Sequence, residues 1–510
     1  MLKVKLFDVD FGEAHVILNY DDAREFGLRP QDRIKIANHH GSTVAIVNIT
    51  DAFVKKGVIG VFSKIRKELG LKNSDTVNIE LVGIPLTVEL IKKKLKGDKL
   101  SADEINSIIA DIVNKNLSSI DLAAFVSALY VRGMDMDEVE ALTRSMVAAG
   151  QTVKFPGEVY DKHSLGGVPG DKTTLLVVPI VASYGLTIPK TSSRAITDPA
   201  GTADRMEVFA PVVHNLKSLS KIVNKAGACI VWGGAVDLSP ADDMLIHVEY
   251  PLSLDPRPLL LASVMSKKIA VGSKFIVIDI PMGEGTKVLD ADFAHKLAAD
   301  FIELGRRLGV EVECAITYGA QPVGNAMGPV LEAIEALKIL EGAREPNSVI
   351  EKSCAIAGIL LEQAGVAKKG QGYEKAATAL HNKSAFKKFK EIVKAQGGNS
   401  NVTIKQLEKR VGKFKHVVKS EREGYVTQIK NREITMVARA AGAPHDKGAG
   451  ILLHSKGGDE TDRGKPLFTI YAEKKEKLEH AKSLLAKLKP VVVEGMLLEE
   501  IPPSSLISRR

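Results

Sequence analysis

The segment Asp161-Lys-His-Ser-Leu-Gly-Gly-Val-Pro-Gly-Asp-Lys-Thr-Thr174 decides the fold, because a glycine-rich turn in it leads into an apolar helix. Its glycines, at positions 166, 167 and 170, permit a tight turn whose backbone amides can converge on an anion. Side chains that offer charge or a hydroxyl surround the turn, namely Lys162, Ser164, Lys172, Thr173 and Thr174. The segment therefore predicts an oxyanion-binding loop before a helix, and we name residues 162–174 the anion cradle.

The chain around the anion cradle alternates between strand-like and helical runs. The strand-like runs are 229–232, 275–280 and 310–316, and the helical runs include 289–306 and 329–340. This alternation is typical of an α/β domain with a mostly parallel sheet. The apolar run 175–186 is too short to span a bilayer, so we expect a core helix there.

The first 84 residues contain an internal repeat. Phe26-Gly-Leu-Arg-Pro-Gln-Asp32-Arg-Ile-Lys-Ile36 returns as Leu69-Gly-Leu-Lys-Asn-Ser-Asp75-Thr-Val-Asn-Ile79. Each copy has a hydrophobic residue, a Gly-Leu turn, an Asp and a strand of period two. The repeat predicts a small pseudo-twofold β-barrel and resembles the double-psi barrels that are N-terminal modules of some large assemblies. Because its polar residues form no constellation, we expect a role in assembly or packing.

Helical and mixed segments complete a multidomain α/β protein. Ser101 and Glu104 form a capping box before a helix with isoleucines at helical spacing, and residues 121–130 and 137–149 have the same period. Lys-rich helices and then short strands with Gly-rich turns follow the α/β region. We predict four parts: an N-terminal small β-barrel that is double-psi-like (1–84), a helical bundle domain (85–150 with about 240–270), an α/β phosphate-binding domain with a mostly parallel sheet (151–239 with 271–420) and a C-terminal α+β portion (421–510).

Composition excludes several classes of protein. With 510 residues, 45% hydrophobic and 26% charged, the chain can form several cores and is typical of a globular protein. Its 3 cysteines lack metal-ligand spacing, so we expect neither a disulfide scaffold nor a metal site. The net charge of +8 is modest, and the Lys-rich helices favour a solvated face over a platform for single-stranded nucleic acid, so we expect no nucleic acid partner. Neither a signal peptide nor a membrane segment is indicated, and we expect a cytoplasmic location.

The anion cradle is easily mistaken for the P-loop of ATPases. Residues 275–278 end at Asp279 and imitate the strand that carries the metal-binding aspartate in those proteins. However, Asp171 separates Gly170 from Lys172, whereas the P-loop needs Gly-Lys-Thr uninterrupted to place its lysine on the terminal phosphates. A P-loop-like ATPase and a non-catalytic nucleotide-sensing protein remain the alternatives from other classes.

A second polar segment is Ser192-Ser-Arg-Ala-Ile-Thr-Asp-Pro-Ala-Gly-Thr-Ala-Asp-Arg-Met-Glu207, in which hydroxyl clusters flank a turn and Asp204 can orient its neighbours by hydrogen bonds. Together with the anion cradle, it closely resembles the nucleoside phosphorylase family that includes thymidine and pyrimidine phosphorylases. The characteristic segment of that family reads S-x-R-[GA]-hydrophobe-x-x-x-[GA]-G-T-x-D-x-hydrophobe-E. Every fixed element of the pattern is present, and the resemblance extends over residues 85–505.

A third segment, Asp255-Pro-Arg-Pro-Leu-Leu-Leu-Ala-Ser263-Val-Met-Ser-Lys267-Lys, opens a helix. Asp before Pro predicts Asp255 as the N-cap with Pro256 at the first helical position. Ser263 and Lys267 are spaced to share one helix face, and the resemblance implies that they hold the nucleobase while Asp255 donates a proton to it. Proton donation requires a raised carboxyl pKa, for which we expect burial among the leucines at 252, 254 and 259.

Three positions depart from the pyrimidine phosphorylase pattern. Val248 stands where those enzymes have an arginine for the base, and Asp198 replaces a histidine. Lys287, in the loop Met282-Gly-Glu-Gly-Thr-Lys287, replaces a more usual aromatic residue. A lysine beside a Gly-x-Gly turn adds an anion site, which has a role only if the substrate is itself phosphorylated. Because of this additional anion site and the extra N-terminal domain, the chain resembles the archaeal branch of the family, which acts on nucleoside 5′-monophosphates.

The resemblance implies phosphorolysis of AMP to adenine and α-D-ribose 1,5-bisphosphate, with CMP and UMP as further candidate substrates. The implied phosphate- and AMP-binding residues are Lys162, His163, Ser164, Gly167, Thr174, Ser192, Ser193, Arg194, Ala195, Ile196, Thr197, Asp198, Thr202, Ser263, Lys267 and Lys287. Inorganic phosphate is the co-substrate, and we expect no cofactor. The alternative within the family is a phosphorylase of unphosphorylated thymidine or other pyrimidine nucleosides. We also expect a homodimer or a larger homo-oligomer.

Overall fold

The computed structural model describes residues 1–83 and 85–497. Met1–Gly133 and Met244–Pro256 form one unit, and Met134–Asp243 and Arg257–Arg510 form the other. Position 84, where the predicted barrel ends, and residues 498–510, where the predicted C-terminal portion ends, lie outside the described residues. The predicted boundaries between the four parts stay predictions.

A closed β-barrel occupies the start of the first unit. Its elements are β1 Leu2–Leu6, β2 His15–Asn19, α1 Tyr20–Glu25, β3 Arg33–Asn38, β4 Gly41–Thr50, β5 Val58–Val61, α2 Ser63–Leu69 and β6 Thr76–Leu81. Within residues 1–83 the strand order around the barrel is β1-β5-β2-β4-β3-β6, and β1 pairs with β5 and β2 with β4 in parallel. The barrel confirms the predicted N-terminal fold.

The two copies of the internal repeat have equivalent positions in this barrel. The Asp32 carboxylate accepts a hydrogen bond from the backbone N–H of Arg29 at 2.7 Å, and the Asp75 carboxylate accepts one from the backbone N–H of Lys72 at 2.7 Å. Each aspartate thus closes the turn that leads into its strand, β3 in one copy and β6 in the other. The repeat in the sequence is therefore a repeat in the structure.

Helices follow the barrel in the first unit. They are α3 Thr87–Lys96, α4 Ala102–Val113 and α5 Ser119–Arg132. The predicted capping box of Ser101 and Glu104 is present at the start of α4. The isoleucines of α4 at helical spacing, Ile105, Ile108, Ile109 and Ile112, are all buried. These features confirm the predicted helical bundle.

The α/β region lies in the second unit. Its elements follow α6 Met136–Ala148 and are β7 Tyr160–Ser164, α7 Thr174–Ser183, β8 Ile188–Ser192, α8 Thr202–Met206, α9 Leu216–Ala226, β9 Ala228–Trp232, a 3₁₀ helix Gly233–Ala235, α10 Pro240–Leu252, α11 Arg257–Ala270, β10 Phe275–Met282, α12 Ala291–Leu308, β11 Glu311–Tyr318, β12 Ala326–Met327, α13 Pro329–Leu340 and α14 Asn347–Gln363. Helix α10 begins in the second unit and ends in the first.

Parallel strands position the candidate site. Strand β10 pairs in parallel with β11 on one side and with β7 on the other, and β8 pairs in parallel with β9. The mostly parallel sheet is therefore confirmed. Helix α7, the expected core helix, is almost wholly buried. The anion cradle leaves β7 at Ser164 and enters α7 at Thr174, so it lies at the carboxyl end of β7, where α/β folds bind ligands.

The C-terminal portion combines helices and antiparallel strands. Its elements are α15 Gly372–His381, α16 Ser384–Ala395, α17 Ile404–Glu408, β13 Phe414–Lys419, β14 Gly424–Ile429, α18 Asn431–Ala440, β15 Gly450–Leu453, β16 Glu460–Thr461, β17 Pro466–Ala472, α19 Lys475–Leu485 and β18 Val491–Glu494. The strands form two sheets, β12-β15-β17-β13 and β16-β14-β18. No helix among the described residues is long and apolar enough to cross a membrane.

Candidate active site

Lys162 is the buried cation of the anion cradle. It lies on β7, only 1% exposed, and its ammonium group donates to the Thr173 hydroxyl at 3.2 Å. Thr174 is the first residue of α7 and is also buried. Gly166, Gly167 and Gly170 have φ of 77°, 83° and 77°, which is the left-handed region that favours glycine. The predicted tight turn is therefore present between a buried lysine and a helix start.

A buried ionic network supports this turn from below. The Lys352 ammonium lies 3.1 Å from the Asp171 carboxylate and 2.9 Å from the Asp279 carboxylate. Asp171 in turn accepts hydrogen bonds from the Thr173 backbone at 3.1 Å and the Thr173 hydroxyl at 2.6 Å. Burial opposes ionisation of Asp171, but Lys352 and Lys162 outweigh it and lower the pKa of that carboxyl. Asp279 therefore forms an ion pair with Lys352, which differs from the metal-binding role of the corresponding aspartate in P-loop ATPases.

The expectation that Lys172 offers charge to the anion is wrong. Its ammonium pairs with the Glu335 carboxylate and donates to the backbone carbonyls of Val323 at 3.1 Å and Ala326 at 3.0 Å. The side chain is fully buried in these contacts. Lys172 joins the cradle to the segment before α13, and Lys162 is the lysine of the cradle that points to its hydroxyl groups.

Asp204 organises the loop between β8 and α8, as its position in the second segment predicts. One carboxylate oxygen accepts from the backbone N–H groups of Ala195 at 2.8 Å and Gly201 at 3.0 Å, and the other accepts from Arg194 at 3.0 Å. A Cβ atom on Gly201 would lie 2.4 Å from the Ala195 nitrogen, so only glycine fits. The loop residues Ser193, Ile196 and Thr197 are exposed around this hub.

The Arg194 guanidinium is engaged within the protein. It donates to both oxygens of Glu207, at 2.9 and 2.5 Å, and lies over the Trp232 ring. These hydrogen bonds lower the pKa of Glu207 to about 2. The side chain of Arg194 therefore fixes the loop, while the Ser192 hydroxyl, on β8, is buried without a hydrogen-bond partner among the described residues. A buried hydroxyl of this kind suits an anion that the loop receives.

Lys287 lies next to the anion cradle. A Cβ atom on Gly167 would be 3.3 Å from the Lys287 backbone nitrogen. The Thr286 hydroxyl donates within 2.8 Å to the Gly283 and Val288 carbonyls, which fixes the loop, and the Lys287 side chain is exposed. Burial raises the pKa of the nearby Asp198 carboxyl, while the charges of Arg205 and Lys287 oppose that rise.

Ser263 and Lys267 lie together on α11, as predicted. The Lys267 ammonium donates to the Ser263 hydroxyl at 3.2 Å and pairs with the buried Asp242 carboxylate. The predicted shared helix face is therefore confirmed, and Asp242 is a partner that the sequence did not indicate.

The burial expected for Asp255 is wrong, and its role as the N-cap stays a prediction. Helix α11 begins at Arg257, one residue after the predicted first helical position, Pro256. Asp255 is exposed, and so is Leu252, one of the leucines expected to bury it. Leu254 is half-buried and Pro256 is buried, so the exposure of Asp255 is not shared by its neighbours in sequence.

His163 and two further lysines complete the electrostatics of the site. The Asp161 carboxylate holds the Lys268 ammonium at 2.8 Å and the Lys190 ammonium at 3.9 Å, and all three side chains are buried. Burial lowers the pKa of His163 well below its ordinary value, and Lys268 and Lys190 lower it further. The imidazole is therefore neutral at physiological pH.

Several of these partners are not predictable from local patterns. Lys352 contacts Asp171, Lys268 contacts Asp161 and Arg439 contacts Ile196, and the two residues of each pair are far apart in the sequence. Asp161 and Lys162 are consecutive residues of β7, and consecutive residues of a strand point to opposite faces. This alternation predicts a charged side chain on each face of the strand. Among the described residues, no group of three or more His, Cys, Asp or Glu side chains could hold a metal ion.

Comparisons with known proteins agree with this architecture. Residues 88–150 match the helical bundle domain of the glycosyl transferase family, residues 156–386 match the α/β domain of that family, and residues 425–490 match the pyrimidine nucleoside phosphorylase C-terminal domain. Residues 6–80 match the molybdopterin dinucleotide binding domain, from which we take the barrel fold alone. The crystal structure of anthranilate phosphoribosyltransferase from Thermus thermophilus is similar with a TM-score of 0.52 and 18% identity, covering 60% of this chain and 99% of that one.

The glycosyl transferase family domains, together with relatives that match this chain over nearly its full length, define a pentosyltransferase. The chain is 48% identical to AMP phosphorylase of Methanococcoides burtonii, over 98% of both chains. It is 50% identical to AMP phosphorylase 1 of Archaeoglobus fulgidus over 96% of both, and 47% identical to AMP phosphorylase of Pyrococcus furiosus over 98% of this chain and 99% of that one. The chain belongs to the AMP phosphorylase family.

Proposed function

We propose that the protein catalyses phosphorolysis of AMP, giving adenine and α-D-ribose 1,5-bisphosphate. The observation that carries the proposal is the contact between two anion-binding elements, the anion cradle at Gly167 and the loop of Lys287. One element suits inorganic phosphate and the other suits the 5′-phosphate of a nucleotide. An enzyme for unphosphorylated nucleosides would have no use for the second cation. CMP and UMP are further candidate substrates.

In the reaction a phosphate oxygen forms a bond to C1′ of the ribose as the bond from C1′ to N9 of adenine breaks. The electron pair of that bond goes to the base, which takes up a proton, and the ribose passes through a state with oxocarbenium character. The phosphate nucleophile must therefore be held against C1′, and the leaving base must be protonated. No cofactor beyond inorganic phosphate is required by this chemistry.

The anion cradle supplies the contacts for inorganic phosphate. Lys162 offers a buried amine, whose pKa is lowered by burial while the charges of Asp171 and Asp279 oppose that fall, and an incoming phosphate would favour its charged form. Ser164, Thr174, Ser192 and Thr202 offer hydroxyl donors. The neutral imidazole of His163 has one N–H to donate. Behind β7, Lys268 pairs with the Asp161 carboxylate, while burial and the charge of Lys268 hold the pKa of the neighbouring Lys190 well below its ordinary value.

The remaining roles concern the nucleotide. Lys287 binds the 5′-phosphate, Ser263 and Lys267 hold the base, and the loop 193–198 lies along the ribose and phosphate. Asp255 is the proton donor. Proton donation requires the carboxylic acid form of this side chain, which an amide at the same position could not replace.

A substrate panel tests the proposal. The purified protein is incubated with AMP, CMP, UMP or adenosine, each with and without inorganic phosphate, and free base is measured by chromatography. We expect phosphate-dependent release of adenine from AMP at a higher kcat/KM than from adenosine. Equal use of AMP and adenosine would favour the nucleoside phosphorylase alternative, and release of phosphate from ATP in a parallel incubation would favour the ATPase alternative. A cytoplasmic location and a homodimer or larger assembly complete the proposal.

A further inference from the structure

One segment of the C-terminal portion holds both loops of the proposed nucleotide site. This segment, residues 424–440, consists of β14 and α18, and we name it the clamp segment. At its far end, the Arg439 guanidinium donates through Nη1 to the Ile196 carbonyl at 2.8 Å and to the Asp198 carbonyl at 3.4 Å. Arg439 thereby contacts the loop between β8 and α8 through two backbone carbonyls.

The near end of the clamp segment contacts the Lys287 loop. The Asn431 amide donates to the Gly319 carbonyl at 2.8 Å and to the Glu284 carbonyl at 3.5 Å, and the Gln428 amide donates to the Glu284 carboxylate at 2.6 Å. A Cβ atom on Gly285 would lie 3.2 Å from the Asn431 Cβ atom, so the loop packs directly on the start of α18. One helix therefore touches both loops.

Cationic side chains from the Lys287 loop, from α8 and from the clamp segment act on the half-buried Asp198 carboxyl. Burial raises the pKa of Asp198, and the charges of Arg205, Lys287 and Arg439 oppose that rise. The anion cradle, by contrast, is fixed by contacts that do not involve the clamp segment, such as the ion pairs of Lys352 with Asp171 and Asp279. A change in the clamp segment should therefore disturb the nucleotide loops and leave the inorganic phosphate site intact.

We propose that Arg439 is a positioning residue for nucleotide specificity: it holds the loop 196–198 at the separation from Lys287 that fits a nucleoside 5′-phosphate. The inference rests on the proposed function for the identity of the substrate. It adds a role for the C-terminal portion, which supplies a rigid element between two loops of the α/β region. Removal of the Arg439 guanidinium should release the loop 196–198. The contacts of the protein with the 5′-phosphate should then weaken more than its contacts with the ribose and the base.

The test compares Arg439→Met and Arg439→Lys with Arg432→Met. Arg432 is exposed on the same helix and serves as the matched control. Equilibrium binding of AMP and of adenosine is measured by calorimetry without phosphate, and KM for AMP, KM for phosphate and kcat are measured in the full reaction. Thermal unfolding of each variant checks that the fold is retained.

We expect Arg439→Met to weaken AMP binding and raise KM for AMP by about 10- to 100-fold, as for a lost charge-assisted hydrogen bond. Adenosine binding should fall by much less than AMP binding, because adenosine has the ribose but lacks the 5′-phosphate, and KM for phosphate and kcat should stay within about 3-fold of wild type. Arg439→Lys, which retains one donor, should recover part of the loss. Arg432→Met should match wild type.

Other outcomes separate this inference from the proposed function. Unchanged AMP binding in Arg439→Met, or an equal loss for AMP and adenosine, would overturn the role of Arg439. Wild-type protein that binds AMP but releases no adenine would overturn the proposed function while the binding comparison still decides on Arg439. Wild-type protein that does not bind AMP would overturn both.

Discussion

A Cβ atom on Gly167 would lie 3.3 Å from the backbone nitrogen of Lys287, so the backbones of these two residues approach each other closely because position 167 has no side chain. Gly167 also has a φ of 83°, which favours glycine. The anion cradle and the Lys287 loop therefore lie side by side. This arrangement suits a reaction in which one anion attacks a substrate that carries another.

Replacement of Lys287 tests whether the second cation serves the 5′-phosphate. We expect Lys287→Ala to lower kcat/KM for AMP by roughly 30- to 150-fold, as for a lost charge-assisted contact, and to leave kcat/KM for adenosine nearly unchanged. Steady-state kinetics with both substrates measure the difference, and Lys296→Ala, an exposed lysine on α12, is the control. An equal loss for AMP and adenosine would remove Lys287 from the phosphate site.

Replacement of cradle residues tests the site of inorganic phosphate. Lys162→Met removes the buried ammonium and keeps an apolar stem, and Thr202→Ala removes one hydroxyl. We expect each to raise KM for phosphate, by about 10- to 100-fold for Lys162→Met and less for Thr202→Ala, because a neutral donor is worth less than a charged one. Kinetics with varied phosphate at saturating AMP provide the measurement. Unchanged phosphate dependence in both variants would make the cradle purely structural.

Asp255→Asn separates catalysis from structure at the start of α11. Because Asp255 is exposed, we expect the free energy of unfolding to change by less than about 0.5 kcal/mol. Turnover should fall by about 10²- to 10⁴-fold, since an amide cannot donate the carboxyl proton. Thermal unfolding and kcat are compared with wild type. Full activity in this variant would exclude Asp255 as the proton donor.

Lys352→Met tests the ionic network below the cradle. The variant leaves the Asp171 and Asp279 carboxylates buried without their shared cation, so we expect a loss of about 3 to 5 kcal/mol of stability in urea unfolding at neutral pH. If stability at neutral pH is unchanged, the network does not stabilise the fold.

The same network gives a pH dependence. The pKa of Asp171 is lowered in the folded protein from its ordinary value of 3.8, so its ionisation stabilises the fold above that value. This contribution is lost as the pH falls below about 4, where the unfolded chain takes up the proton first. Wild-type protein should therefore lose more stability between pH 5 and pH 3 than Lys352→Met does, and parallel curves would contradict this assignment.

The features that the sequence predicts well are those formed by near neighbours in the chain. The turn of the anion cradle, the capping box before α4, the repeat in the barrel and the pair of Ser263 and Lys267 all depend on short spacings, and all are present. Local spacing determines them because a turn or a helix face involves only a few consecutive residues.

The features that the sequence does not predict depend on distant partners. Lys172 contacts Glu335, which is 163 positions away, and a local pattern cannot distinguish this ion pair from a charge offered to a ligand. The same holds for Lys352 under the cradle and for Arg439 on the loop 196–198. Asp255 illustrates the converse, since it is exposed although Leu254 beside it is half-buried and Pro256 is buried.

Transfer of radiolabelled inorganic phosphate tests phosphorolysis of AMP most directly. The protein is incubated with AMP and labelled phosphate, and adenine and the labelled sugar phosphate are quantified together. We predict that each adenine released is matched by one labelled ribose bisphosphate, and that no adenine forms when phosphate is omitted. Adenine released without label in the sugar, or adenosine formed in place of adenine, would contradict the account.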